Sequence, residues 1–172
     1  MQKAVLITGG TSGIGKALAA AYLEAGAAVA VCGRSQEALD RFALEHPKAL
    51  AIAADVTDRK ARTAMLNAVA SAFGRLDVLV NNAGVFIERN FVTDSDPTAG
   101  LDEEIAINLT GPIHLTNEVL ARWPSPDAIV FVTSGFALVS PKRAPSYGAA
   151  KAGLHAFADS LPATRRPEDR CP

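Results

Sequence analysis

Short apolar runs along the chain alternate with segments whose apolar residues recur every three or four positions. Five runs have strand length: AVLIT (4–8), AVAVC (28–32), LAIAA (50–54), LDVLVN (76–81) and IVFVT (129–133). None alternates polar with apolar residues, which is the pattern of strands covered on both faces of a parallel sheet. In GIGKALAAAYLEAGA, Ile14, Ala17, Leu18, Ala21, Tyr22 and Ala25 follow helical spacing, predicting the inner face of a first helix that stops at Gly26. Ser35 and Asp58 are expected to cap the next two helices, with Leu39 and Phe42, then Met65, Leu66, Val69 and Phe73, turned inward. Segments 100–122 and 146–161 predict the last two helices, and the polar stretch IERNFVTDSDPTAGLDE (87–103) predicts a loop without a core pattern.

Strand and helix in this alternation predict the α/β class: a Rossmann-like, doubly wound parallel sheet of about five strands in three α/β/α layers. There is no internal repeat and no interdomain linker, so residues 1–161 read as one dinucleotide-binding domain and 162–172 as a tail. Composition narrows the function. With 49% hydrophobic and 20% charged residues the chain belongs with soluble globular proteins, and a formal net charge of −1 gives no ground for a nucleic-acid or anionic-membrane partner. No apolar run approaches the roughly 20 residues of a membrane span. The start, MQKAVLITGG, runs straight into a strand without a signal-peptide pattern, so a cytoplasmic protein is expected. Cys32 and Cys171 suggest no disulfide framework, and His46, His114 and His155 lack metal-ligand spacing, so no metal site is expected.

LITGGTSGIG places Gly9, Gly13 and Gly15 after the first strand and at the mouth of the first helix. Such a turn lets backbone N–H groups approach a pyrophosphate at a helix N-terminus, although a tight strand-to-helix turn also needs glycine for its own sake. The second strand ends AVCGRSQ, with Arg34 and Ser35 where a carboxylate would select the ribose 2′-hydroxyl. A guanidinium there can pair with a 2′-phosphate, so NADP(H) is favoured and NAD(H) stays possible. In SYGAAK, Tyr147 and Lys151 are four residues apart and therefore neighbours on a helix face. An ammonium beside a phenol stabilises the phenolate, which suits Tyr147 to proton transfer. Ser134 follows the fifth strand at the edge where ligands bind in open α/β sheets; it either bonds a substrate carbonyl or caps the TSG turn. Pro112 cannot bond the carbonyl of Asn108 and predicts a bend that frees that oxygen for a water leading toward Lys151.

Together TGGTSGIG, NNAG at 81–84, Asn108, Ser134 and YGAAK resemble the short-chain dehydrogenase/reductase family over about residues 3–161. The resemblance implies that Tyr147 is the general acid/base, that Lys151 assists it and binds the nicotinamide ribose, that Ser134 orients the substrate, and that Asn108 supports a proton relay. It also implies a cofactor held by Gly9, Thr11, Ser12, Gly13, Ile14 and Gly15, by Arg34 and Ser35, by Asp55 and Val56 at the adenine, and by Asn82, Ala83 and Gly84 along the cleft. The wording ITGGTSGIG…IAINLTGPIHLT…SGFA is similar to members of that family assigned to D-alanyl lipoteichoic acid metabolism. The expected activity is an oxidoreductase acting on a small carbonyl or secondary alcohol, with a nucleotide-binding protein without turnover as the alternative. Family members commonly dimerise through the helices carrying Asn108 and Tyr147, so a homodimer or higher homo-oligomer is expected.

Where the family continues with a sixth strand and a substrate-covering helix, this sequence reads PATRRPEDRCP, expected to be a solvated tail and a sign of C-terminal truncation. The fifth strand would then be an edge strand, and Phe157 and Leu161 candidates for exposed apolar surface. Arg143 is either a solvated loop residue or a contact for an anionic substrate.

Overall fold

The computed structural model describes residues 2–139 and 141–161 of the chain; the predicted tail, 162–172, lies outside the described residues. Five parallel strands, β1 (Ala4–Thr8), β2 (Ala28–Gly33), β3 (Leu50–Ala53), β4 (Val78–Asn81) and β5 (Ala128–Phe131), form one sheet in the order β3-β2-β1-β4-β5. The central strands are buried on both faces, which explains their unbroken apolar sequences: Val5, Leu6, Ile7, Val29, Ala30, Val31, Cys32 and Leu79 are fully buried. Chain order reverses between β1 and β4, so the carboxyl ends of those two strands flank the crevice in which such sheets bind ligands.

Alternate strand residues feed two cores. On one face Val5, Ile7, Val29 and Val31 pack with Ala19 of α1 (Gly13–Glu24) and with Leu39 and Phe42 of α2 (Gln36–Glu45). On the other, Leu6, Ala30, Cys32 and Leu79 meet Met65, Leu66 and Val69 of α3 (Arg59–Phe73). Leu115 and Val119 of α5 (Gly111–Arg122) complete that second core. Ser35 and Asp58 cap α2 and α3 as expected, their side chains accepting from Ala38 N and Lys60 N.

Three expectations change. The inner face of α1 is only partly the predicted stripe: Leu18 and Tyr22 pack against the core beside the buried Gly15 and Ala19, while Ile14 is 62% exposed and Ala17, Ala21 and Ala25 face solvent. A helix this rich in Ala and Gly is apolar nearly all round, so periodicity does not fix its phase; close approach to the sheet does, and the smallest residues win. The stretch 87–100 is irregular as expected, while 101–103 are already helical, and the loop does contribute to the interior, because Arg89 is only 4% exposed. Phe157 and Leu161 are half-buried rather than exposed, and Phe157 meets Phe131 edge-on at 5.8 Å between ring centroids. Strand β5 is indeed at the sheet edge, with Val130 39% exposed.

The helix that carries Asn108 is in three pieces: α4 (Leu101–Ile105), a π-helical turn (Ala106–Thr110) and α5. Pro112 is the cause. It has no N–H for the Asn108 carbonyl and its ring crowds that carbonyl, so the turn before it widens and Gly111 N bonds back five residues to Ala106 O. A Cβ at Gly111 would lie 2.8 Å from Ala106 O and 3.1 Å from Val56 O, so only glycine lets the widened turn sit on the chain leaving β3.

Candidate active site

The turn after β1 is set by glycine. Gly9 and Gly13 have φ of 63° and 51°, the left-handed region that other residues avoid. A Cβ at Gly15 would lie 2.4 Å from Gly9 O and 2.5 Å from Asn82 Nδ2, so α1 starts hard against the turn. The end of β4 braces it from the other side: Asn82 Nδ2 donates to Thr8 O and Gly9 O, and Asn82 N and Ala83 N both donate to the Thr8 hydroxyl.

These contacts frame a cleft of about 310 Å³ across the switch point, within the size range of ligand pockets. Of the predicted cofactor residues, Gly9, Thr11, Ser12, Arg34, Ser35, Asp55, Val56, Ala83 and Gly84 line it. Gly13, Ile14, Gly15 and Asn82 do not; Gly15 and Asn82 instead hold the turn in shape. Val85 and Ile107 line the cleft as well, unannounced by any motif. The site fits a dinucleotide: glycine leaves the floor open at the mouth of α1, whose first-turn N–H groups favour an anion. Asp55 accepts from Thr57 N and Thr57 Oγ1 at 2.8 Å, which fixes its carboxylate on the wall of the cleft. Cys32 is fully buried beside the cleft, and burial pushes its thiol up to about 12, so it is inert.

At the other end, α6 (Pro145–Ser160) brings Tyr147 and Lys151 to the carboxyl ends of β4 and β5. Lys151 is 3% exposed, and its ammonium donates to Val132 O at 2.9 Å, just past β5. Burial lowers its pKa from the ordinary lysine value. The same nitrogen lies 5.8 Å from the centroid of the Tyr147 ring. Asn108, fully buried, spans the backbone of Val85 with both ends of its amide, accepting from Val85 N and donating to Val85 O. Gly84 is where these groups meet: a Cβ there would lie 2.9 Å from Asn108 Oδ1 and 3.4 Å from Lys151 Nζ. Asn108 and Lys151 thus converge, as the sequence predicts, but through the Asn108 side chain. Ser134 caps a short 3₁₀ turn (Gly135–Ala137) by accepting from Phe136 N, the turn role that was one of its two readings.

Two features had no sequence signal. The half-buried Tyr147 ring is met edge-on by Phe86 at 5.0 Å and Phe136 at 6.3 Å between centroids, so its surroundings are aromatic. Beneath them lies a buried charge network. Glu104, fully buried, accepts from Arg89 Nη2 at 3.0 Å, from the Ser146 hydroxyl at 2.6 Å and from Ile87 N at 3.2 Å. Arg89 also donates to Pro97 O and Ala99 O, while its own N–H donates to Arg143 O. This ties the loop after β4 to the first turn of α6, one residue from Tyr147. Arg143 itself pairs with Glu88 at 3.0 Å, both side chains being more than half exposed. Among the described residues no cluster of potential metal ligands occurs, and no helix is long and apolar enough to cross a membrane.

Comparison with known proteins agrees with this geometry. The profile of the short chain dehydrogenase family matches residues 3–168. Over 160 residues the chain is 39% identical to the uncharacterized oxidoreductase DltE of Bacillus subtilis strain 168, covering 91% of this chain and 63% of that protein. It is 34% identical over 178 residues to the short chain dehydrogenase/reductase dpchG of Colletotrichum higginsianum, covering 98% and 66%. Among solved structures, a short-chain dehydrogenase from Streptomyces avermitilis superposes with a TM-score of 0.84 at 32% identity, covering 93% of this chain and 59% of that one. One from Bacillus anthracis gives 0.86 at 29%, covering 92% and 68%. The chain therefore spans about two thirds of the length of these relatives. It belongs to the short-chain dehydrogenase family, whose oxidoreductases use a nicotinamide cofactor.

Proposed function

We propose that the chain binds NADP(H) in the switch-point cleft and acts on a small carbonyl or secondary alcohol. The observation that carries this reading is the convergence on Gly84 at the end of the cleft: Asn108 Oδ1 and Lys151 Nζ reach it from separate helices, one turn of α6 from Tyr147. A bound nicotinamide dinucleotide would supply the hydride-transfer chemistry. The chain's own residues handle the proton and the orientation. Tyr147 gives its phenolic proton to the oxygen of a carbonyl being reduced, or takes it back from an alcohol. Lys151, held at the Val132 carbonyl, places its ammonium 5.8 Å from the centre of the Tyr147 ring. Ser134 lies at the carboxyl edge of β5, where its hydroxyl can donate to the substrate oxygen while its lone pair caps Phe136 N. Asn108, locked to Val85, keeps the backbone at Gly84 in register with Lys151.

Arg34 and Ser35 on the cleft rim support the phosphorylated cofactor, because a guanidinium pairs with a 2′-phosphate and no carboxylate ends β2. The open groove of about 780 Å³ lined by Leu101, Ile105 and Ala106 with Ala149 of α6 supports a homodimer through this face. The test is a fluorescence titration of the purified chain with NADPH and NADH, followed by oxidation assays with a panel of small carbonyls. NADPH binding with turnover that is lost in Tyr147→Phe is the expected result. Binding without turnover would favour the alternative, a nucleotide-binding protein. Binding of neither nucleotide would overturn the cofactor assignment.

A further inference from the structure

Arg34, the residue that favours a 2′-phosphate, already has a partner. Its Nη1 lies 2.7 Å from Glu103 Oε1 and 4.0 Å from Asp55 Oδ2. Glu103 comes from the first turn of α4, 69 residues along the chain, so this contact bridges the rim of the cleft from the β2 side to the helix that continues into Ile107. The two carboxylates differ in freedom. Asp55 is fixed by the Thr57 amide and hydroxyl, whereas Glu103 is 62% exposed and has no other ion-pair partner among the described residues.

We infer that Glu103 is a specificity-determining residue, an internal competitor that occupies Arg34 and lowers the preference for the 2′-phosphorylated cofactor. The inference rests on the NADP(H) reading of the cleft and adds to it a residue outside every recognised motif. The physical reasoning is direct. A phosphate monoester carries about −1.5 to −2 charges at neutral pH. To reach Arg34 it must displace one carboxylate and then remain near both. A ribose bearing only its 2′-hydroxyl makes no such demand. The competing view is that an exposed pair has no measurable effect, since such pairs contribute only about 0.2–1 kcal/mol, or about 1.5- to fivefold in an equilibrium. Competition predicts an effect at the upper end of that range, because like-charge repulsion adds to the lost partner, and it predicts that the effect is confined to ligands with a 2′-phosphate.

The experiment is a binding titration of the full chain with four probes, NADP⁺, NAD⁺, 2′,5′-ADP and 5′-AMP. It compares the wild type with Glu103→Gln, Glu103→Arg and, as a net-charge control on α6, Asp159→Asn. Expected are about two- to fivefold tighter NADP⁺ and 2′,5′-ADP binding in Glu103→Gln. A gain of about tenfold is expected in Glu103→Arg, with NAD⁺ and 5′-AMP unchanged and the gains shrinking as salt is raised. Equal changes for probes with and without a 2′-phosphate, no change, or weaker NADP⁺ binding would overturn the inference while leaving the cofactor assignment intact. If the wild type binds none of the probes, the cofactor reading falls and this inference falls with it.

Discussion

Removing the Glu104 carboxylate should be among the most damaging single changes in the molecule, although no motif includes it. Glu104 is fully buried and Arg89 is 4% exposed, so each charge is carried in the interior by the other and by hydrogen bonds. Glu104→Ala takes away the acceptor of three donors, Arg89 Nη2, the Ser146 hydroxyl and Ile87 N. The guanidinium keeps only the Pro97 and Ala99 carbonyls, with Nε already unpartnered. Breaking a buried pair on one side typically costs about 3–5 kcal/mol, because the remaining charge is left desolvated. Domains of this kind are stable by only about 5–15 kcal/mol, so a large share of the total is at stake. With a urea m-value of about 2 kcal/mol/M, the unfolding midpoint should fall by about 2 M.

Removing both partners separates the pair from the rest. Arg89→Met alone should also destabilise, but Arg89→Met with Glu104→Gln should lose less than the sum of the single changes, since neither leaves an uncompensated charge. A coupling of about 1–3 kcal/mol is expected from the double-mutant cycle. Ser146→Ala, which removes one charge-assisted hydrogen bond, should lose about 1.5–3 kcal/mol. Urea unfolding followed by far-UV circular dichroism measures these four variants and the Glu104→Gln single that closes the cycle. A loss below about 1 kcal/mol for Glu104→Ala, or simple additivity in the cycle, would refute the claim that this pair pins the loop after β4 onto α6.

Two further outcomes follow from the cleft. Gly15→Ala brings a methyl within 2.4 Å of Gly9 O, a backbone atom that can move only if the turn opens; it should destabilise by about 1–3 kcal/mol and weaken nucleotide binding, read by urea unfolding and NADPH titration. In a Cys171→Ser background, Cys32 should resist a thiol reagent at pH 8 in the native state and react fully in denaturant, because burial holds its thiol near 12; rapid native labelling would show that the cleft wall opens.

What the sequence makes legible, and what it hides, follows from where each interaction is local. The strands were readable because a strand covered on both faces needs unbroken apolar residues, and Val29, Ala30, Val31 and Cys32 are all buried. Their ends were less so. Strand β4 begins at Val78 rather than at Leu76: the Asp77 backbone still bonds Ala4 O and Ala128 N, but it is the Asp77 carboxylate, paired with Arg75, that accepts from Ala4 N. Ser35 and Asp58 were readable as caps because a cap is a contact over two or three residues. Glu104 was not readable, because DEEIAIN looks like a solvated first turn and only the fold supplies Arg89 and Ser146.

The candidate site divides along the same line. Tyr147 and Lys151 are visible because helical spacing alone makes them neighbours. Asn108 is visible only indirectly, through the proline that follows it, and the bonds of its side chain to Val85 have no signal in the sequence. The π turn at Ala106–Thr110 changes the rotation of everything before it relative to α5, so one stretch of chain can serve three sites at once. Ahead of the turn, Glu103 reaches Arg34 and Glu104 reaches the loop and α6; within it, Asn108 points to Val85 and Gly84. An uninterrupted α-helix would hold Glu104 and Asn108 one above the other on a single face, four residues apart. Loss of Pro112 would allow that regular winding to return. Pro112 therefore shapes this site through the backbone although it does not line the cleft.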